Sequence, residues 1–202
     1  MFDQIDKFPV IIVSTPRTGS TALQQVICKH HGLDGFNEAH WEPDYFKYFL
    51  EYQRQNTKFC LKVHSCDLYN FADTINLFGH ENIYWISLRR RDIVDQIASF
   101  YLARKRDKWF NYGNDEYEDY VIDIDKKDLS DTIFATLKYK NCFNDLNFKF
   151  DMDLYYEDLE LGDADTILTD YPENYNELKD LITKELEVFL KWNNVEKFKV
   201  MI

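Results

Sequence analysis

The stretch Ser14-Thr15-Pro16-Arg17-Thr18-Gly19-Ser20-Thr21 follows directly on the apolar run Val10-Ile11-Ile12-Val13. Its residue types suit an anion. Arg17 brings a permanent charge, Thr18, Ser20 and Thr21 bring hydroxyl donors, and Gly19 lets backbone N–H groups come close. Where a buried strand feeds a helix through a short loop, the helix's free N–H groups and its dipole add to the grip, and phosphate is the usual guest. The stretch is not a Walker A motif, since it has no leading glycine and no Gly-Lys-Ser/Thr ending. A turn that only caps a helix needs one hydroxyl, not an arginine with three of them.

A second cluster is Leu88-Arg89-Arg90-Arg91-Asp92, continuing to Ser99. Three arginines at a helix start oppose the helix dipole, which favours negative charge there. An anionic ligand relieves that conflict, and Asp92 as N-cap relieves part of it. Arg91 and Ser99 lie eight positions apart, a spacing that can bring both to one phosphate. Arg90 is the second choice for that role.

Elements must hold these groups at one edge. Val10–Val13 reads as a strand buried on both faces, and Ala22, Leu23, Val26 and Ile27 recur at helical spacing up to Gly32. Further strands are expected at 58–63, 82–88 and 149–156. Helices are expected at 43–54, from an Asp67 N-cap to Leu77, at 92–105, 131–146 and 175–192. The acidic span 112–130 reads as an irregular excursion or lid. Strand and helix alternate, which predicts an α/β fold: one P-loop-like domain with a mainly parallel central sheet flanked by helices.

The 202 residues carry a net charge of −12. That balance argues against nucleic acid as a partner, because a polyanion needs a broad basic surface. Clustered arginines in an acidic chain suit a small anionic ligand instead. The apolar runs are too short to span a membrane, and the N-terminus lacks a basic region followed by an apolar one. The expected compartment is the cytoplasm. Cys28, Cys60, Cys66 and Cys142 show neither zinc spacing nor the density of a disulfide scaffold, and Cys28 and Cys60 read as reduced core residues.

In three places the chain resembles the sulfotransferase family, whose members use 3′-phosphoadenosine 5′-phosphosulfate. Pro16-Arg17-Thr18-Gly19-Ser20-Thr21 is similar to the loop that binds the 5′-phosphosulfate. The Arg91…Ser99 pair resembles the 3′-phosphate site, and Tyr156-Glu157-Asp158-Leu159 is similar to a segment found late in many members. The resemblance implies sulfuryl transfer to a hydroxyl of a carbohydrate or other small acceptor, with no metal required. It implies that Arg17 contacts the bridging oxygen and that Lys62 adds charge at the transferring group. Either Glu38 or His64 would be the base, with Glu42 a further candidate. Family members stack adenine on a tryptophan where this chain has Ala22, so Tyr156 or Trp109 is expected to do so. The aromatic span 41–52 would suit an acceptor wall. A kinase-like phosphotransferase, or a nucleotide-binding protein without activity, are the other readings.

Overall fold

Val10–Ser14 forms strand β1, buried at every position, as a β-branched run needs when both faces are covered. The computed structural model describes residues 2–38, 44–107, 120–147, 149–159 and 171–192. In chain order the elements are β1, α1 (Ser20–His31), β2 (Asp34–Asn37), α2 (Tyr45–Arg54), β3 (Phe59–His64), α3 (Ala72–Phe78), β4 (Tyr84–Arg89), α4 (Ile93–Arg106), α5 (Lys126–Asn144), β5 (Met152–Tyr155) and α6 (Tyr175–Trp192). The five strands make one sheet in the order β2-β3-β1-β4-β5. Every pairing is parallel.

This order decides where a site can form. From β1 the chain turns through α1 toward the β2 border, whereas from β4 it turns through α4 and α5 toward the β5 border. The carboxyl ends of β1 and β4 therefore flank the point where connections diverge, and open α/β sheets bind ligands in the crevice formed there.

Both faces of the sheet are covered. On one, Leu23 and Ile27 of α1 pack on Val10, Ile12, Ile86 and Leu88. On the other, Phe49 of α2, Phe71 and Phe143 of α5 pack on Ile11, Val13, Leu61 and Trp85. Helices α4, α5 and α6 share a third cluster around Ile97, Ile133 and Ile182. No described helix is long and apolar enough to cross a membrane.

Several expectations need correction. Strand β2 was not expected, because Asp34-Gly35-Phe36-Asn37 is a poor strand former and mostly exposed. It is held by Gln24 of α1, whose buried Nε2 donates to the Phe36 carbonyl at 2.7 Å and the Cys60 carbonyl at 2.9 Å. Gly35 permits that approach, since a Cβ there would meet Cys28 Sγ at 3.2 Å. Asp67 does not cap α3: Ser65–Phe71 is a 3-10 turn, and α3 begins at Ala72. Helix α5 starts five residues earlier than expected, at Lys126, because Asp125 accepts from Asp128 N at 2.8 Å and caps it. Part of the expected excursion is thus helix, and residues 112–119 of it lie outside the described residues. Within the aromatic span of α2, Phe49 is a core residue and Tyr45 packs partly buried against that core, whereas Tyr48 is exposed and Trp41 lies outside the described residues. Cys66 and Cys142 form a disulfide between the 3-10 turn and α5 across a sequence separation of 76. Cys28 and Cys60 are free, as expected, and Cys60 is buried.

Gln24→Ala should cost roughly 1–3 kcal/mol in urea denaturation, because it strands two buried carbonyl groups. Equal stability of parent and variant would show that Gln24 does not hold the β2 border.

Candidate functional site

The residues after β1 fold into a tight loop for local reasons. Thr18 Oγ1, fully buried, donates to the Thr15 carbonyl at 2.9 Å. Gly19 takes φ of 76° in the left-handed region and leads into α1, whose N-terminus receives no side-chain cap. Those first N–H groups and the Ser20 and Thr21 side chains are set at the carboxyl edge of the sheet.

Arg17 also lies in the left-handed region, at φ 62°. Four described non-glycine residues have positive φ: Arg17, Glu38, Asn56 and Asp107. Asn and Asp tolerate this geometry through short polar side chains, whereas Arg and Glu do not. Strain of this kind, of order 1–3 kcal/mol, collects where a fold must aim a side chain. The two strained long side chains are the two that chemistry singled out at the ends of β1 and β2.

Arg17 is tied to α4. Its Nε donates to Ser99 Oγ at 3.0 Å, leaving the Ser99 proton free to donate elsewhere. Arg90 Nη1 donates to the Arg17 carbonyl at 3.3 Å. Burial, and next the charge of Arg90, pull the Arg17 guanidinium down to about 10. It stays charged at neutral pH, so its burial weighs against folding throughout that range. Only above about 10 would proton loss relieve this. A buried cation beside another cation is stabilised by an anion between them.

The structure separates Arg90 from Arg91. Arg90 faces the loop, with a side chain only 13% exposed and its guanidinium 4.9 Å from the Tyr156 ring centroid. Arg91 is drawn aside into a bidentate pair with Asp158 at 2.6 and 2.5 Å. Arg90 thus takes the inner position, and Ser99 meets Arg17, while Arg91 is engaged by Asp158. Arg91 N and Asp92 N both donate to Glu157, at 2.9 and 3.1 Å. Asp92 caps α4 as expected, accepting from Asp95 N at 2.9 Å.

Across β1, on the β3 side, Lys62 is buried. Its Nζ donates to Thr21 Oγ1 at 3.0 Å and pairs with Glu38 Oε1 at 2.9 Å. His64 Nε2 reaches the same Glu38 oxygen at 3.1 Å. Glu38 and His64, read from sequence as alternatives, are one hydrogen-bonded unit with Lys62. Glu42 and Trp109 lie outside the described residues.

Three contributors were not singled out from sequence. Gln96, fully buried, donates to Thr15 Oγ1 and the Pro16 carbonyl, both at 2.7 Å, and so fixes the loop to α4. It sits one helical turn before Ser99, a spacing that could have flagged it. Tyr139 of α5 meets the His64 ring edge-on at 5.5 Å. Lys140 is pulled downward by burial against the opposing influence of Glu157 and Asp92. Neither α5 residue carries a sequence signal, because only the return of α5 brings them here.

No family model matches the chain, and no curated protein matches it. Among solved structures it is similar to an uncharacterized protein from Eubacterium ventriosum, at 9% identity and a TM-score of 0.43. The match covers 88% of this chain and 97% of that one, and likeness at this level carries no argument.

Replacing Arg17 by Met should leave the thermal midpoint of the free protein unchanged or raised, while abolishing stabilisation by added pyrophosphate. If the variant keeps the pyrophosphate shift in a thermal melt, Arg17 is not the anion's partner.

Proposed function

We propose that this chain is a sulfotransferase. It would move a sulfuryl group from 3′-phosphoadenosine 5′-phosphosulfate to a hydroxyl of a carbohydrate or other small acceptor, with the cytoplasm as its setting. The observation that carries the reading is the meeting of Arg17, Arg90 and Ser99 across the crevice between β1 and β4, beside an uncapped helix N-terminus. Two guanidinium groups there suit a ligand with more than one phosphate-type group better than a single carboxylate. The absence of a Walker lysine weighs against a kinase.

Bound at this edge, the nucleotide would supply a sulfuryl group activated by its bridge to phosphate. The chain's own residues divide the remaining work. The backbone N–H groups of the loop, the Ser20 and Thr21 hydroxyls and Arg17 hold the 5′ end, the Thr18 hydroxyl being spent on the Thr15 carbonyl. Ser99 donates its free proton, and Arg90 its charge, toward the 3′-phosphate, with Arg91 near the same helix start. Tyr156, already stacked on Arg90, offers a ring for adenine. Glu38 takes the acceptor's hydroxyl proton as the acceptor oxygen bonds to sulfur, and His64 orients it. Arg17 and Lys62 meet the charge left on the departing phosphate as the old S–O bond breaks.

Isothermal titration with 3′,5′-adenosine bisphosphate tests the reading. Micromolar binding that ATP does not displace supports it; no binding at millimolar concentration overturns it, and tighter ATP binding supports phosphoryl transfer. In a turnover assay Arg17→Ala should lose about 10²–10³-fold, as for removal of a charge-stabilising donor. Glu38→Gln should lose roughly 10²–10⁴-fold. Ser99→Ala should weaken the bisphosphate while leaving a 5′-monophosphate nearly unaffected; equal losses for both would remove Ser99 from the 3′ site.

A further inference from the structure

Two ties join the segment after β3 to helix α5. Ser65 Oγ donates to the Tyr139 carbonyl at 2.8 Å. One residue further on, Cys66 is bridged to Cys142, with 5.4 Å between their Cα atoms. Tyr139 and Cys142 are three positions apart on α5, so they lie on the same side of the helix. The next residue, Phe143, is anchored in the core beneath the sheet. The bridged turn of α5 is therefore the turn that sets the Tyr139 ring against His64.

His64 lies among charged and titratable groups from each element around it. Glu38 comes from the end of β2, Lys62 from β3 and Tyr139 from α5, with Asp67 of the 3-10 turn acting on Tyr139. Burial, then Asp67 and Glu38, raise the Tyr139 phenol. At neutral pH Tyr139 is thus a neutral wall and adds no charge of its own. Its contribution is steric: it limits the orientations in which His64 can reach Glu38. Both bridged cysteines are half-buried, so a small thiol can reach them.

We propose that the Cys66–Cys142 pair is a redox-responsive tie, and that Tyr139, held by it, is a positioning residue for the His64–Glu38 unit. Opening it is ordinary thiol–disulfide exchange with a dithiol. One thiolate of the reductant attacks either sulfur and releases the other as a thiolate. The second reductant thiol then displaces the mixed disulfide. Two electrons and two protons pass to Cys66 and Cys142, and the reductant leaves as a cyclic disulfide. A reducing cytosol keeps such pairs open, so the tie would close on oxidation. That this regulates transfer rests on the sulfotransferase reading; the tie itself does not.

The test uses the full chain with isotopically labelled histidine, His64 being assigned through His64→Asn. In the air-oxidised protein a thiol assay should find two reactive or denaturant-exposed thiols, those of Cys28 and Cys60, and all four after dithiothreitol. The His64 ring resonances should move on reduction. Cys142→Ser should show the reduced position with or without dithiothreitol. Tyr139→Ala should show a displaced His64 in either redox state, whereas Tyr139→Phe should keep the parent pattern. Four free thiols in the oxidised sample, or a His64 signal unmoved when both cysteines are freed, would overturn the proposal. The reductant arm uses the unmutated protein and so does not depend on a variant folding. Adenosine bisphosphate titrated into both states separates the two ideas: absent binding with a moving His64 sinks the sulfotransferase reading alone.

Discussion

The site is organised by the burial of one positive charge next to another. Placing Arg17 at the end of β1, largely out of water and beside Arg90, works against folding unless neighbouring groups hold the loop in that shape. The contacts around it do so. Thr18 closes the loop on itself, Gln96 clamps Thr15 and Pro16 to α4, Ser99 receives the guanidinium, and Arg90 grips the Arg17 carbonyl. Each comes from a different part of the loop or of the β4–α4 unit. The crevice is pre-shaped because the sheet order makes those two units neighbours with diverging exits.

The chemistry divides along β1. Arg17, Arg90 and Ser99 gather on the β4 side, and the Glu38–Lys62–His64 unit lies on the β3 side. Lys62 links the halves, because its ammonium touches both Glu38 and Thr21 at the start of α1. A change at Glu38 or His64 is therefore felt through Lys62 at the start of α1.

The α/β class, β1, its loop and α1 were legible because a β-branched run, a glycine and a helical period follow in order. Strand β4 and the Asp92 cap were legible on the same grounds. Strand β2 was not, since its pairing depends on Gln24 reaching across from α1 and not on the propensities of Asp34 to Asn37. The choice between Arg90 and Arg91 was open because adjacent residues at a strand end point in different directions. What turns Arg91 away from the loop is Asp158, brought close by β5. Glu38 and His64 looked like competitors because they lie on separate strands, and only the parallel pairing of β2 with β3 unites them. The Cys66–Cys142 bridge joins segments with no shared local pattern, so spacing along the chain was silent about it.

The sheet's two borders are its shortest strands. β2 and β5 have four residues each, against five in β1 and six in β3 and β4. The β2 border is also mostly polar and exposed. An open strand edge is a template on which another chain can add, and brevity and polarity are the usual defences. The longer, almost fully buried strands at the centre of this sheet are flanked on both sides by short borders that offer little to copy.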